Sequence, residues 1–271
     1  MQLFCLVFVF FLGLSIGSFL NVLIYRLPRS LKVTGRSFCP KCKKKIRWYD
    51  NVPLLSFLLL KGKCRWCHSP ISWRYPLVEL LTGALFLLTV ILLPKPIINY
   101  QLSIAQQQAP LIINYLLLLA YYLFLISSLI VIFFIDLKHR IIPDLMVYPT
   151  ILIVFLFQIT NNQLIVTNYL LSASGAGLFF LILHLITKGK GMGFGDVKLA
   201  FLMGLILGPA KVIFAFYLAF LTGALTGVIL ILAKKKKFGE QIPFGPFLSG
   251  ATIITLFWGE GIVRWLTAHL F

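Results

Sequence analysis

Residues 111–136 read LIINYLLLLAYYLFLISSLIVIFFID, twenty-five residues without a charge closed by Asp136. A helix rises 1.5 Å per residue, so about 20 apolar residues cover a hydrocarbon core of about 30 Å. The stretch is long enough to span a membrane. It decides the fold class, because backbone groups in lipid must be paired internally and a run this uniformly apolar pairs them as a helix.

Outward from it, the same rule marks residues 3–25, 77–93, 145–159, 169–187, 197–207, 212–233 and 247–265, eight stretches in all. Hydrophobic residues make up 60% of the chain and charged ones 12%, with a mean hydropathy of +0.96, whereas soluble domains hold roughly 45–50% apolar residues. The expected fold is all-α, a polytopic membrane protein of about eight transmembrane helices. The stretch 197–207 is too short to cross alone. If it dipped in and returned, the lysines at 234–237 would change sides. It is therefore kept as a span, extended by residues 208–210 and sheltered by neighbours.

The net charge of +18 is read as membrane orientation and not as a nucleic-acid surface, because lysine and arginine gather in cytoplasmic loops. The first stretch has its basic residues after it, from Arg26, so it is expected to remain as an anchor with the N-terminus outside. Loops 26–75, 136–144, 188–196 and 234–246, with Lys198, then lie inside and hold 22 of the 25 basic residues. Lys95, Lys211 and Arg264 fall outside.

The first inside loop carries Cys39-Pro-Lys-Cys42 and Cys64-Arg-Trp-Cys67, two CxxC pairs separated by 21 residues. That spacing predicts a structural Zn²⁺ held by Cys39, Cys42, Cys64 and Cys67 in a small cytoplasmic loop domain. Two disulfides are the alternative, disfavoured in a reducing compartment. Four sulfurs leave no open metal position for chemistry. His68 could replace a ligand but is not needed, and Cys5 is expected to pack against a neighbouring helix.

Only seven residues are acidic, and an Asp within a membrane helix costs about 2.5–3.5 kcal/mol, so Asp136 and Asp196 are the candidate catalytic residues. Two carboxyls sharing a water in a low-dielectric site cannot both ionise easily. One then donates a proton while the other takes one from the attacking water. Plain structural roles compete: Asp196 or Asp144 as a helix N-cap, Asp136 as a partner of Lys138 or Arg140. Asp144 is given the capping role. Around Asp196, Gly191, Gly193 and Gly195 allow close backbone approach or positive φ, which suggests substrate contact at Gly193 and Gly195. Lys198 is a candidate for tuning a carboxyl or binding a substrate carbonyl, with snorkelling to the interface as the plain alternative.

Several blocks together carry a resemblance: GSFLNVLIYRLP at 17–28, the CxxC pairs, ISWRYPLVE at 71–79, Asp136 with IPD at 142–144, GFGDVKL at 193–199 and IPFGPF at 242–247. The chain resembles the type IV prepilin peptidases of pilus, competence and type II secretion systems, nearly end to end. The resemblance implies a bacterial inner-membrane enzyme that cuts a basic leader from prepilins or pseudopilins after a glycine, on the cytoplasmic side, with Asp136 and Asp196 as the aspartic dyad. It also implies N-methylation of the new N-terminal residue, with S-adenosyl-L-methionine as donor. Residues 1–76 would then form the N-methylation region, and 77–271 the peptidase.

For the methyl donor no Gly-rich turn after a strand is present. Asn21, Arg26, Asn51 and Glu79 are polar candidates near the loop, each with a plain alternative: Arg26 orients the helix, Asn51 makes a turn with Pro53, Glu79 pairs with Arg74. Two other classes remain open, a proton- or ion-coupled transporter and a non-catalytic secretion scaffold. Membrane lipid is an expected partner throughout, and the lysines at 234–237 suit anionic headgroups.

Overall fold

The computed structural model describes residues 2–92, 108–161, 163–189, 191–237 and 240–270. Lys95, Lys190 and residue 93, which figure in the sided loops and the second stretch, lie outside the described residues. In chain order the helices are α1 (Gln2–Arg26), α2 (Leu55–Leu59), α3 (Arg74–Leu92), α4 (Gln108–His139), α5 (Asp144–Asn161), α6 (Gln163–Ile186), α7 (Phe194–Leu207), α8 (Pro209–Leu232) and α9 (Gly245–Leu270). All but the short α2 coincide with the eight apolar stretches. Among the described residues six segments can cross a membrane by length and composition, one of them, Phe4–Arg29, near the N-terminus and one, Phe194–Leu232, containing both α7 and α8. The chain is an integral membrane protein. Among the described residues there is no strand, only isolated bridges from Phe38 to Lys45 and from Lys63 to Pro70.

The chain forms two compact units, Met1–Ile130 and Val131–Phe271. In the first, α1 and α3 run antiparallel in contact. Their register is set by small residues one turn apart: a carbon added to Gly13 would sit 2.7 Å from Gly83 Cα, and one added to Gly17 the same distance from Glu79 Cα. Apolar side chains gain little by leaving lipid for another apolar surface, so close backbone approach of this kind supplies the attraction between membrane helices. Cys5, expected to pack, is exposed. The first buried residue of α1 among those described is Val9, and Cys5 lies beyond it. At the other end of α1, buried Arg26 does more than orient: its guanidinium donates to the carbonyls of Lys32, Val33, Thr34 and Arg36 at 2.7–3.1 Å, organising the chain that leads to Cys39.

In the second unit α7 is central, in contact with α5, α6, α8 and α9. It is 14 residues long, about 21 Å at 1.5 Å per residue, and its residues from Leu199 onward are almost all buried. The expected shelter is observed, but the expected extension is not. Gly208 takes φ 74 and ends α7, while Pro209 and Ala210 open α8. The helix gains its length at the other end, where Phe194, Gly195 and Asp196 form its first turn.

Gly204 makes the tightest of these contacts, since an added carbon would lie 2.6 Å from Ala173 Cα and Ser172 O on α6. Gly204→Val is expected to destabilise the protein at or beyond the upper end of the ~1–3 kcal/mol usual for overpacking, because backbone must move. Gly175→Ala, with nothing within 4 Å of the new carbon, is expected to leave the thermal midpoint in detergent unchanged or slightly raised.

Candidate active site and metal centre

Asp136 sits in the last turn of α4 and is 5% exposed. Its Oδ2 accepts the backbone N–H of Gly245 at 2.9 Å. Gly245 begins α9, where the first N–H groups have no helical partner and favour an anion. Pro246 follows in the first turn, a position where a missing N–H costs nothing. Phe244 fixes the approach by packing against Phe180, Phe220 and Phe247 with ring centroids 5.0–6.2 Å apart. Only glycine fits next: a carbon on Gly245 would lie 2.6 Å from Asp136 Oδ2. Among the described residues Asp136 forms no ion pair, so neither Lys138 nor Arg140 neutralises it as a salt bridge.

Asp196 is 8% exposed and stands third in α7, with Gly193 as the N-cap. Its Oδ2 accepts the Gly193 N–H at 3.0 Å. This is half of a capping box; glycine has no side chain to return the other half. Of the two possibilities for Gly191, Gly193 and Gly195, positive φ does not occur. Instead Gly195 meets Ile142 and Gly191 meets Thr187, at 3.0 and 2.9 Å from an added carbon, whereas Gly193 has only ordinary contacts. Since α7 packs against α9, both aspartates come to helix starts of one unit. Two buried carboxyls so placed can act as one proton donor and one proton acceptor on a shared water.

Three further features escaped the sequence analysis. Gly245 stood in the inside loop 234–246 and the IPFGPF block with no role of its own. The His184 ring donates from Nδ1 to the Met192 carbonyl at 2.8 Å, holding the segment before Asp196, and only a lone histidine in an apolar helix marked it. Lys198 Nζ is 2.6 Å from Asp144 Oδ1 and 5.2 Å from the Tyr148 and Phe194 rings. Asp144 thus heads α5, as a helix-start residue should, but its carboxylate is taken by Lys198.

In the first unit the two CxxC pairs adopt one turn twice. Cys39 N–H bonds Lys44 O and Lys43 N–H bonds Cys39 O; Cys64 N–H bonds Ser69 O and His68 N–H bonds Cys64 O, all at 2.9–3.0 Å. The residue after each second cysteine, Lys43 or His68, takes positive φ. Lys44 and Arg47 lie over Trp66 at 4.6 and 5.1 Å, joining the first turn to the second. Arg65 braces Asp50 with bonds of 2.5–3.1 Å.

The four sulfurs lie within 4.8 Å of one another, and all are free thiols. A tetrahedral ion with metal–sulfur bonds of about 2.3 Å has sulfur–sulfur edges of about 3.8 Å, and Cys39 Sγ is 3.8 Å from Cys67 Sγ. The Ser69 hydroxyl, 3.2 Å from Cys67 Sγ, leads the hydrogen bonds that hold that thiol down to about 6, favouring the thiolate that binds metal. The group could hold a metal ion, and His68 is not part of it. Asn51 ends the short turn Trp48–Asn51, which stops before Pro53, whereas Glu79 accepts the Leu54 N–H at 2.8 Å and makes no ion pair with Arg74 among the described residues.

Two family profiles match the chain. The Bacterial Peptidase A24 N-terminal domain covers residues 11–93, including the four cysteines, and the Type IV leader peptidase family covers residues 123–228, including both aspartates. Curated relatives carry the description prepilin leader peptidase/N-methyltransferase. The one from Aeromonas hydrophila is 35% identical, with 97% of this chain and 93% of the relative aligned. Those from Legionella pneumophila and Pseudomonas aeruginosa are 33% and 31% identical, covering 95% and 93% of this chain and 92% and 90% of the relatives. No solved structure matches.

Native mass spectrometry of the purified protein is expected to show one divalent ion per chain. Cys64→Ser should release it and open the loop 39–67 to limited proteolysis; full metal occupancy in that variant would contradict a four-sulfur site.

Proposed function

The chain belongs to the prepilin leader peptidase/N-methyltransferase family, and from that premise we propose that Asp136 and Asp196 are the catalytic pair of its peptidase. The protein cleaves prepilin-type substrates and N-methylates the product. The observation that supports the catalytic reading is the matched setting of the two aspartates: each is buried and each gives one carboxylate oxygen to a glycine N–H at a helix start.

In this reading a water lies between the carboxyls. The ionised one takes a proton from it as the oxygen attacks the carbonyl of the leader's last glycine. The protonated one gives its proton to the departing amine, so the pair ends with charge and protons balanced. The Gly245 and Gly193 N–H groups orient the two carboxylates. Gly193, where a Cβ would meet only ordinary contacts, admits the substrate backbone alongside Asp196, and Gly195 keeps α7 close to Ile142. Lys198, set by Asp144, faces the leader segment as a substrate-binding residue.

We assign the methylation region to residues 1–76, completed by the first turns of α3 that pack on α1, and the peptidase to the rest of 77–271. Zn²⁺ held by Cys39, Cys42, Cys64 and Cys67 is structural, since four thiolates leave no position open. S-adenosyl-L-methionine, when bound, supplies an electrophilic methyl group for the new N-terminal amine. The charge asymmetry of the loops supports an N-terminus outside and both sites on the cytoplasmic face of the bacterial inner membrane, with prepilins or pseudopilins arriving through the bilayer. The curated relatives are enzymes, which leaves the transporter and scaffold alternatives without support.

Intact-mass analysis of a prepilin co-expressed with this protein reads cleavage and methylation together. Asp136→Asn and Asp196→Asn are each expected to slow cleavage at least about 100-fold, in the range of lost acid–base catalysis. Gly245→Ala, which drives a carbon against Asp136 Oδ2, should slow it about tenfold or more while leaving the metal bound. Cleavage at the wild-type rate by either Asn variant would remove that aspartate from the pair.

A further inference from the structure

The unit Met1–Ile130 buries a second polar cluster where α1 meets α3. Asn21 is 2% exposed. Its Nδ2 donates to the Tyr75 carbonyl at 3.0 Å, but its Oδ1 is buried without a partner. Beside Tyr75, Arg74 has Nε and Nη1 buried and unpartnered among the described residues, with its guanidinium 5.1 Å from the Tyr75 ring. One turn along α3, Glu79 is 8% exposed. It accepts from the Leu54 N–H at 2.8 Å.

The Glu79 bond also holds strained backbone. Leu54 takes φ 59 and ψ −50, with the Leu55 N–H reaching Pro53 O at 2.6 Å, a γ-turn of the rare hand. Strain of this kind persists only where its surroundings impose it, and it gathers at ligand sites. Buried polar atoms are nearly always paired. Here an acceptor lacks a donor while, on the residue next to its Tyr75 partner, two donors lack an acceptor. A single chemical group satisfies both: an ammonium nitrogen next to a carbonyl or carboxylate oxygen.

We propose that Asn21, Arg74 and Glu79 form a subsite for an α-ammonium group and its neighbouring carbonyl or carboxylate. Asn21 Oδ1 and the Glu79 carboxylate accept from the nitrogen, and Arg74 donates to the oxygen. The inference rests on the methylation reading above, in which two molecules carry this group: the new N-terminus of the pilin and the amino-acid end of the methyl donor. For the pilin N-terminus Glu79 has a chemical task as well. The ammonium gives one proton to the Glu79 carboxylate, and the freed nitrogen lone pair bonds to the methyl carbon while the sulfur–carbon pair returns to sulfur. Transfer releases S-adenosylhomocysteine and a secondary ammonium, with no further reactant required.

The test uses the full-length protein and the variants Glu79→Gln, Asn21→Ala and Arg74→Gln. S-adenosylhomocysteine binding is measured at equilibrium, and intact mass of a prepilin reads cleavage and methylation separately, cleavage serving as the folding control. Methylation is expected to fall at least tenfold in each variant that still cleaves. Tenfold weaker S-adenosylhomocysteine binding assigns the subsite to the donor; unchanged binding with a tenfold higher KM for the acceptor assigns it to the pilin N-terminus. Wild-type binding and methylation in the variants would overturn the proposal. If Glu79→Gln or Asn21→Ala also lose cleavage, Arg74→Gln at the start of α3 decides alone, and its unimpaired methylation would overturn the subsite. A wild-type protein that cleaves but neither methylates nor binds S-adenosylhomocysteine would instead sink the methylation reading, and the subsite with it.

Discussion

The hydrogen bond from the Gly245 N–H to Asp136 joins the end of α4 to the start of α9 across 109 residues of sequence, and the arrangement of the second unit depends on it. A carboxylate in an apolar bundle needs a partner, and the nearest basic side chains do not form an ion pair with it. The free N–H groups of a helix start supply one without adding a charge. The glycine is required because any side chain would occupy the carboxylate's place. Asp196 solves the same problem with the Gly193 N–H. Both aspartates are thereby oriented by backbone, which is more rigid than a side-chain partner, while neither is locked in a salt bridge that would hinder proton exchange.

The short central helix follows from the same economy. A 14-residue helix cannot cross a membrane exposed to lipid, but α7 is enclosed by α5, α6, α8 and α9, and Gly204 brings α6 to backbone contact. Enclosure lets the Asp196 end sit within protein. In the first unit, glycines at 13, 17 and 83 draw α1 and α3 together by the same means, and the polar residues Asn21 and Glu79 occupy the next turns of that interface.

Much of this was legible in the sequence. Apolar length alone located the eight long helices, because the bilayer imposes a single dominant constraint. The spacing of the CxxC pairs foretold one four-sulfur cluster, because each pair encodes a local turn. Asp136 and Asp196 stood out by scarcity of acid. What stayed hidden was pairing across sequence. Nothing near Gly245 announces a partner 109 residues away, Lys198 and Asp144 are 54 apart, and the Glu79–Leu54 bond replaced the nearer Arg74. The ends of α7 were misjudged because hydropathy ignores capping: Asp196 starts the helix earlier, and Gly208 stops it sooner, than apolar content suggests. Cys5 was misplaced because α1 is apolar on every side, so composition does not mark the face that packs.

The central claim is that Asp136 and Asp196 act as one acid–base unit. The most direct measurement is the pH dependence of leader cleavage by the wild-type protein under kcat/KM conditions. A pair that works with one carboxyl protonated and one ionised predicts a bell-shaped profile with two limbs of unit slope. A profile with a single limb, or none across the accessible range, would contradict it.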